Sequence, residues 1–481
     1  MGRAAMPARL LAMGLLMLLF GADAAWAAGE AGAELQGPHL DGATMGLIWV
    51  VPFVGILLSI ALLPLLAPDF WHHHFGKVSA FWALAFILPF LIVYGVELTI
   101  YEILHVLLLE YIPFIILLLA LFTVAGGVRL RGSLAGTPAV NTGMLLFGTI
   151  IASWMGTTGA AMLLIRPLIR ANEWRRYQVH TVVFFIFLVA NIGGSLTPLG
   201  DPPLFLGFLK GVSFFWPTVH LLAPMGLAAG LLLAVYYAVD SILFGREVAA
   251  RPAKSDESLS IEGGVNILLL VGVVLSVLLS GVWDSGVEFE IYGIAMALQD
   301  LARDVLLLAI TWLSWRLTSR ESRKANGFTW FPIIEVGKLF AGIFLTIVPA
   351  IAILRAGTRG ALGGVVSLVT DPNGQPIDAM YFWLTGALSS FLDNAPTYLV
   401  FFNTAGGDAQ ALMGPYASTL LAISAGAVFM GANTYIGNAP NFMVRAIAEE
   451  RGIAMPSFFG YMLWSGGILL PLFALITLLF F

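Results

Sequence analysis

Residues 191–203 read NIGGSLTPLGDPP, and they lie in the middle of a long apolar run. The run VVFFIFLVA precedes them and LFLGFL follows them, so a buried helix is expected on both sides. Three glycines, three prolines and an aspartate interrupt that helix. Proline removes a backbone donor and clashes with the preceding turn. The stretch therefore predicts a helix that is broken at mid-length and carries a carboxylate at the break.

Charged residues are scarce throughout the chain. Of its 481 residues, 59% are hydrophobic and only 11% are charged, whereas soluble proteins carry roughly 25% charged residues. Apolar runs of ~20 residues recur, which indicates a polytopic membrane protein. The net charge of −5 gives no basic surface for nucleic acid, and the absence of cysteine excludes disulfides, thiol chemistry and iron–sulfur ligation.

The N-terminus has the pattern of a signal peptide. Arg3 and Arg9 form a charged start, residues 10–20 form a short apolar segment, and residues 25–27 form an A-x-A cleavage pattern. We therefore expect residues 1–27 to be removed, which would leave the new N-terminus outside the cytoplasm. An uncleaved first helix is the alternative.

Twelve apolar segments are long enough to enter a membrane deeply. Two of them, 139–168 and 379–404, are cut by polar residues at mid-depth, and we predict that each is a re-entrant hairpin that returns to the side it entered. The other ten are predicted crossings: 45–66, 78–96, 98–125, 178–212, 216–243, 262–282, 300–318, 329–355, 417–448 and 457–481.

The distribution of basic residues supports this topology. With both ends of the mature chain outside, the loops placed inside hold sixteen lysines and arginines and the loops placed outside hold four. Cytoplasmic loops of membrane proteins carry such an excess. The outer loop 283–291, WDSGVEFEI, is purely acidic.

The opening stretch has a second copy. Residues 194–203 align with residues 431–440, GANTYIGNAP, at an offset of 237 positions. The same offset places residues 153–159, SWMGTTG, on residues 390–396, SFLDNAP. Two motifs that share one offset indicate an internal repeat.

The repeat predicts an all-α polytopic membrane protein built from two halves. The first repeat covers residues 45–245, a cytoplasmic linker covers 246–261, and the second repeat covers 262–481. Because one half starts outside and the other inside, the repeats have inverted topology, with two re-entrant hairpins and two broken helices. Transporters with this architecture bind their ligands near the bilayer midplane, at the repeat interface.

The glycines and prolines of the motifs predict unwound backbone at membrane depth. Such backbone is tolerated only where it is buried in protein or lines a cavity. It frees carbonyls for cations and presents helix N-termini to anions. A kinked helix without a ligand is the alternative. The predicted helix-break residues are Gly156, Gly193, Gly194, Gly200, Pro202, Pro203, Pro396, Gly437, Asn438 and Pro440.

Asp201 and Asp393 are the carboxylates of these segments. A carboxylate at mid-depth costs about 2.5–3.5 kcal/mol on insertion scales, so it commonly has a function. It can exchange a proton for a cation, and hard oxygen ligands suit sodium. Alternatively, Asp393 caps a half-helix and Asp201 only holds the broken helix in shape. The predicted cation and proton site has Na⁺ at Asp393, Asn394 and Asp201, with Thr157, Thr158, Thr197, Asn433 and Thr434 as neutral ligands.

A further acidic group lies in the segment 98–125. Glu102 and His105 share a helix face, and Glu110 follows, so a proton relay and a helix–helix pair are both open. The motifs GxxxxGK[ST], HExxH and GxSxG are absent from the sequence. We therefore expect neither enzyme activity nor a cofactor.

The segments SSFLDNAPT (389–397), GGSLTPLGDPP (193–203) and GANTYIGNAPN (431–441) resemble the ion transporter superfamily. That group includes sodium/proton antiporters of the NhaD type, arsenite permeases, citrate–metal symporters and divalent-anion/sodium symporters. The resemblance covers essentially everything after the signal peptide. It implies two hairpins and two broken helices that meet at one site, and a homodimer in which a transport domain moves against a scaffold domain.

The hairpin tips distinguish branches of that superfamily. They read MGTTG (155–159) and LDNAP (392–396), where dicarboxylate symporters carry Ser-Asn-Thr. Leu-Asp-Asn followed by proline is more similar to the antiporter and arsenite branches, and Asp393 would repel a carboxylate. The run GDPPLFLGFLKG is also similar to a group described as citrate transporters.

The leading interpretation is a secondary active transporter that exchanges protons for Na⁺ (or Li⁺) across the bacterial inner membrane. A cation and a proton compete for the same carboxylate, so each displaces the other. The alternative is Na⁺- or H⁺-coupled symport of citrate or a related organic anion, with the helix N-termini of the hairpin tips holding carboxylates. The expected partners are the lipid bilayer, a small cation and a second copy of the chain, with an organic anion under the alternative interpretation and no nucleic acid.

Overall fold

The computed structural model describes residues 40–132, 134–247 and 260–481. The chain is nearly all helical, which confirms the predicted all-α fold class of a polytopic membrane protein. The predicted signal peptide, residues 1–27, lies outside the described residues.

The first helices form a long antiparallel pair and its continuation. Two 3₁₀ turns, Gly42–Thr44 and Leu47–Val50, lead into α1. Gly95, with φ of +82°, bends the second helix sharply, so the continuous helical run is two helices, as the predicted crossings 78–96 and 98–125 require. The elements are α1 (Val51–Leu66), α2 (Pro68–Val106), a π-helical turn (Leu107–Tyr111) and α3 (Ile112–Ala125).

The next two helices form the first hairpin, α4 (Pro138–Met155) and α5 (Thr157–Asn172). Gly156 separates them with φ of +81°. The N–H of Gly136, before α4, donates to the carbonyl of Ala171, near the end of α5, at 2.7 Å. The chain therefore leaves the hairpin beside the point where it enters. The re-entrant path of the segment 139–168 through the membrane stays a prediction.

The stretch 191–203 breaks the following helix. It separates α6 (Val179–Leu188) from α7 (Pro202–Leu209), with a 3₁₀ turn (Ile192–Leu196) between them. The helix α8 (Trp216–Phe244) then completes the first half. Of the window Val179–Leu196, 89% is buried, against 22% of Val265–Val282, so the broken helix lies in the interior and α9 at the periphery.

After α8 the structure contains short strands that the sequence did not predict. The strand β1 (Arg129–Arg131) pairs antiparallel with β2 (Ser260–Glu262), so the end of the predicted linker 246–261 is held against the loop before the first hairpin. The acidic outer loop forms a β-hairpin around Tyr292. The elements are α9 (Val265–Val282), β3 (Glu288–Ile291), β4 (Ile294–Ala297), α10 (Leu298–Leu317) and α11 (Arg320–Ala325).

The short helix α11 carries an arginine that ties the inner loop to α3 and α10. Arg323 is 5% exposed and donates to the carbonyls of Thr123 and Ser314, both at 2.8 Å. Its burial lowers the pKa of the guanidinium to about 10, so the group stays charged at neutral pH.

The second half repeats the order of a bent helix, a hairpin and a broken helix. The bent helix consists of Phe331–Thr346 and Val348–Arg355, which meet at an angle of 41°. In the second hairpin, the rings of Tyr381 and Phe401, near its two ends, lie 6.3 Å apart. The elements are α12 (Phe331–Thr346), α13 (Val348–Arg355), a 3₁₀ turn (Gly357–Arg359), α14 (Gly363–Val369), α15 (Asp378–Phe391), α16 (Asn394–Thr404), α17 (Ala409–Met413), α18 (Ala417–Met430), a 3₁₀ turn (Gly431–Asn433), α19 (Ala439–Glu450) and α20 (Phe458–Phe480).

In the described part of the chain, seven helices, or eight with the bent pair α12–α13, are long and apolar enough to cross a membrane. That number counts α4, which belongs to a hairpin, and counts the bent run through Gly95 once. Each of the ten predicted crossings coincides with a helix or a broken helix pair. The number of crossings and the inverted topology remain predictions.

The helices pack in two bundles. The hairpins, the broken helices, α8 and α20 form the site bundle; α1, α2, α3, α9, α10 and α12 form the flanking bundle. The bundles meet where α3 packs on α5, where the π-helical turn contacts α7, and where α13, which continues α12 beyond its bend, packs on α16. The two helix breaks lie within the site bundle.

Candidate functional site

Each hairpin tip is hydrogen-bonded to the break of a neighbouring helix. The hydroxyl of Thr197 donates to the carbonyl of Ser153, and the Ser153 hydroxyl donates to the carbonyl of Gly193 at 2.6 Å. In the other half, the hydroxyl of Thr434 donates to the carbonyl of Ser390. The Ser390 hydroxyl lies 3.0 Å from the carbonyl of Met430 and 2.7 Å from that of Gly386, so the contact between tip and break recurs at the offset of 237 positions.

The glycines of the breaks allow backbone to approach backbone. A Cβ on Gly200 would lie 2.0 Å from the carbonyl oxygen of Gly194, and a Cβ on Gly437 would lie 2.5 Å from that of Gly431. Among the predicted break glycines of the described chain, Gly156 alone has a positive φ. The others are required by close packing rather than by a special backbone conformation.

Asp201 connects the four segments. Its side chain is 1% exposed. The carboxylate accepts hydrogen bonds from the Thr157 hydroxyl at 3.1 Å, from the Asn438 amide at 3.1 Å, and from the Asn394 amide. Thr157 and Asn394 belong to the two hairpin tips, and Asn438 is the counterpart of Asp201 in the second break. One carboxylate therefore holds together both tips and both breaks.

Each of these four residues stands at the start of a helix. Thr157 begins α5, Asn394 begins α16, Asp201 immediately precedes α7, and Asn438 immediately precedes α19. The N-terminus of a helix carries a partial positive charge and free N–H groups. Four such ends lie around the Asp201 carboxylate, and among the described residues its hydrogen bonds come from neutral side chains rather than from a basic one.

Asp393 occupies a different position at the second tip. Its carboxylate accepts a hydrogen bond from the N–H of Ala395 at 3.2 Å and so caps α16, as the alternative interpretation proposed. The side chain is partly exposed, and among the described residues it forms no ion pair. Asp201 and Asp393 bind different groups, but the capping bond leaves part of the Asp393 carboxylate open.

Two amide oxygens, one at the second hairpin tip and one in the second helix break, have no hydrogen-bond partner among the described residues. They are Oδ1 of Asn394, which is fully buried, and Oδ1 of Asn433, whose amide nitrogen donates to the Ser390 hydroxyl at 2.9 Å. A buried oxygen without a donor loses the hydration it has in water. Both are therefore available to a cation.

The predicted threonine ligands fall into two groups. The hydroxyls of Thr197 and Thr434 also accept backbone hydrogen bonds, from the N–H groups of Leu199 and Ile436 at 3.2 Å, so they serve the helix breaks. Thr158 is partly exposed at the first tip. The described residues contain no group of three histidines, aspartates or glutamates that could hold a metal ion, so amide and hydroxyl oxygens dominate the available ligands. Such a set fits a monovalent cation better than a transition metal.

Residues 42–481, which include all the described helices, match a transporter family described as "Putative citrate transport". The chain belongs to this family. No curated protein matches the chain. The match confirms the transporter class and the relation to citrate transporters that the run GDPPLFLGFLKG indicates, while the similarity to NhaD-type antiporters stays a prediction. The apolar helices and the family match together identify the chain as a multi-pass membrane protein.

Sequence analysis missed two asparagines that join the breaks of this family member. The Asn191 amide donates to Oδ1 of Asn441 at 2.7 Å, and the Asn441 amide donates to the carbonyls of Gly431 and Thr434, both at 2.9 Å. Both asparagines lie at the edges of the quoted motifs. Their position beside the breaks was the signal that could have identified them.

A buried charged cluster at the base of the first hairpin was also missed. Arg175 and His180 contact the Asp240 carboxylate at 2.6 and 2.7 Å, and all three side chains are almost fully buried. The Asn141 amide donates to the same carboxylate at 3.3 Å. The cluster fastens the base of the hairpin to α8. Residues so far apart in sequence carry no local pattern that predicts their contact.

Proposed function

We propose that the protein is a secondary transporter that carries citrate or a related organic anion across the membrane together with a cation. The observation that carries the proposal is the meeting of four helix N-termini at the Asp201 network, in a chain whose family is described by citrate transport. Carboxylates of the substrate would bind at the N-termini of α5 and α16.

Charge balance argues for coupling to cations. Citrate brings up to three negative charges, and the site already contains the carboxylates of Asp201 and Asp393. Among the described residues, no lysine or arginine bonds to either carboxylate. A like charge in such surroundings is strongly unfavourable. Cations at Asp393, Asn394 and Asn433, with Thr158 at the other tip, would offset the charge of the anion.

A second candidate function is exchange of protons for Na⁺ or Li⁺, as in the NhaD-type branch. The specific observation in its favour is the open part of the Asp393 carboxylate, which forms no ion pair in the described chain. Competition of a proton and a cation for that group would give antiport without any organic anion. The same fold suits both candidate functions, so they differ in the substrate that is transported and must be distinguished by a transport measurement.

The transport cycle follows from the proposed class. We propose that the two repeats, 45–245 and 262–481, have inverted topology in the bacterial inner membrane, that the chain forms a homodimer, and that the site bundle moves against the flanking bundle. The helix breaks, Gly156 among them, would supply backbone that can rearrange.

Reconstituted proteoliposomes test the function. Labelled citrate is added outside under an inward Na⁺ gradient, an inward proton gradient, or neither. We expect citrate accumulation driven by at least one gradient, and loss of the cation dependence in Asp393→Asn. Asp284→Asn, an exposed residue of the outer loop, is the matched control and should transport normally.

A luminal pH dye provides the opposing measurement. Vesicles are prepared with an acidic lumen, and Na⁺, Li⁺ or K⁺ is added outside in the absence of citrate. A rise of luminal pH with Na⁺ or Li⁺ alone, lost in Asp393→Asn and combined with no citrate uptake under either gradient, would refute symport and establish the antiporter.

A further inference from the structure

An ion pair connects the two bundles at the end of α7 that is remote from Asp201. Lys210 directly follows α7, and its ammonium contacts Oε1 of Glu110. The Lys210 and Glu110 side chains are 16% and 6% exposed. Asp201 immediately precedes the same helix, which is about 12 Å long at 1.5 Å per residue. One short helix therefore has the site carboxylate at one end and the ion pair at the other.

Glu110 is presented by an unusual backbone. It lies in the π-helical turn Leu107–Tyr111, within an otherwise α-helical segment. Such turns occur mostly as single bulges inside helices and frequently at functional sites. The second oxygen of Glu110, Oε2, is buried and has no hydrogen-bond partner among the described residues. The carboxylate is thus held in the interior for its contact with Lys210 rather than for a network of its own.

The two partners belong to different bundles. The helix α7 packs most extensively on α16, inside the site bundle, whereas the π-helical turn packs on α2, α3 and α12. Beside the pair lies a cavity of about 560 Å³, which is lined by Leu108 and Leu109 of the turn and by Phe208 and Ser213. The contact between the π-helical turn and α7 is therefore bordered by open space next to the pair.

We propose that Lys210 and Glu110 form a latch, an ion pair that holds the end of α7 remote from Asp201 against the flanking bundle in this conformation. The ion pair opens during each transport cycle. The inference rests on the proposed function, because it assigns a part of the cycle to the helix that begins at Asp201. Removing one partner leaves an uncompensated charge in the interior, whereas separating both beside a cavity lets water solvate them. Lys210 and Glu110 are positioning residues, which act on the site through α7.

Cross-linking tests the latch without background labelling, because the chain contains no cysteine. Glu110→Cys/Lys210→Cys is joined by a short, cleavable thiol cross-linker in proteoliposomes. We expect citrate uptake to fall at least tenfold on cross-linking and to recover on reduction. The control pair is Ser319→Cys/Ser322→Cys, whose parent hydroxyls lie 2.9 Å apart within the inner loop, and its cross-link should leave uptake unchanged. Unchanged uptake by the cross-linked Glu110–Lys210 pair would overturn the latch.

Charge variants give a second, independent readout. Glu110→Gln and Lys210→Met should each lower the maximal uptake rate about tenfold and leave KM for citrate within twofold, because neither side chain contacts the site. The exchanged variant Glu110→Lys/Lys210→Glu should recover most of the rate. A rise in KM with an unchanged rate, or no recovery in the exchanged variant of normally folded protein, would refute the proposal.

The latch and the proposed function can fail separately. If the unmodified protein shows no citrate uptake, the proposed function fails. The rate of cross-linking at positions 110 and 210 is then compared with and without an imposed Na⁺ or pH gradient. A rate that changes at least threefold supports a latch in a transporter of another ion, and a constant rate refutes it.

Discussion

At the scale of single residues, the Asp201 carboxylate is the group that most needs an explanation, because it is almost fully buried in an apolar chain. Its charge is met by three neutral donors, Thr157, Asn394 and Asn438, and by the N-terminal ends of four helices. Hydrogen bonds to a charged group are worth more than those between neutral groups, about 1.5–3 kcal/mol each. A neutral environment can therefore hold this carboxylate in place.

Replacing Asp201 by asparagine should disrupt the network although the shape is conserved. The new amide NH₂ would face side chains that already donate, so at least one buried donor would lose its acceptor, at a cost of about 1–3 kcal/mol. We expect lower thermal stability in detergent and an uptake rate reduced at least tenfold. Asp284→Asn is the control, and equal behaviour of the two variants would contradict the structural role of Asp201.

Asn433 and Thr434 are neighbours with different expected roles. Asn433→Ala should raise the half-saturating Na⁺ concentration roughly fivefold, which corresponds to about 1 kcal/mol for one neutral ligand. Its loss of thermal stability should be smaller than that of Thr434→Ala, because the Asn433 amide donates a single hydrogen bond, to the Ser390 hydroxyl. Thr434→Ala should instead lower the thermal stability, because its hydroxyl bonds to the carbonyl of Ser390. Thr434→Ser keeps that hydroxyl and should restore stability. A Na⁺ dependence that is unchanged in Asn433→Ala would remove this residue from the cation site.

Sequence reasoning identified the members of the Asp201 network but not the way in which they meet. Thr157, Asn394, Asp201 and Asn438 stand at matching positions of two repeated motifs, so a shared offset was enough to select them. The partition of roles, with Asp393 as a helix cap and Thr197 as a support for the break, depends on side-chain directions. The contact between Lys210 and Glu110 depends on packing between segments that are far apart in the sequence. No local sequence pattern predicts such a contact.

At the scale of elements, the break between α6 and α7 shows why the opening stretch has its composition. Pro202 and Pro203 stand at the start of α7, where a missing N–H costs nothing because the first turn has no intrahelical acceptor. Gly200 allows the backbone to pass Gly194 at close range. The second break uses Gly437 and Pro440 at the corresponding positions. The positions of proline and glycine in the sequence were therefore sufficient to predict both helix breaks.

Gly156 provides a test of backbone strain at a hairpin tip. Its φ and ψ of +81° and 146° are nearly matched by Gly95, at +82° and 174°, in the flanking bundle. Alanine in such a conformation costs about 1–3 kcal/mol, and a Cβ at either position meets nothing closer than 3.5 Å. Gly156→Ala and Gly95→Ala should lower thermal stability similarly.

Only the variant at the tip should affect transport. We expect Gly156→Ala to raise the KM for citrate at least fivefold, since it alters the N-terminus of α5, and Gly95→Ala to leave KM unchanged. Measurement of both variants at equal protein content separates strain from function. A KM that rises equally in both would show that the effect comes from stability alone.

Some elements left no usable signal in the sequence. The strands β1 and β2 have three residues each, and their pairing joins segments that lie more than a hundred positions apart. The π-helical turn has the same apolar composition as the α-helices around it. Both arise because tertiary packing overrides local preference, and this is why the β1–β2 pairing and the π-helical turn that bears Glu110 were not predicted.

At the scale of the whole molecule, the length of the second hairpin favours a re-entrant path through the membrane. The helices α15 and α16 have 14 and 11 residues, which is about 21 and 16 Å, and the hydrocarbon core of a bilayer is about 30 Å thick. Neither can cross alone. Because the two ends of each hairpin lie together, we expect the chain to leave on the side from which it entered.

Single-cysteine labelling checks this topology directly, because the chain lacks native cysteine. The positions that flank the first hairpin, Arg131→Cys and Glu173→Cys, are exposed and should both react only with reagents that reach the cytoplasmic side. Asn373→Cys and Gln410→Cys flank the second hairpin, are also exposed, and should both react only from the opposite side.

Reference positions make the labelling result unambiguous. Asp284→Cys in the outer loop should react from outside with a membrane-impermeant maleimide, and Lys324→Cys in the inner loop should react only after permeabilisation. A segment that crossed the membrane only once would place its two flanks on opposite sides. Flanks that label together, with opposite orientation for the two hairpins, would establish inverted repeats, because each tip would then reach the Asp201 network from a different face of the membrane.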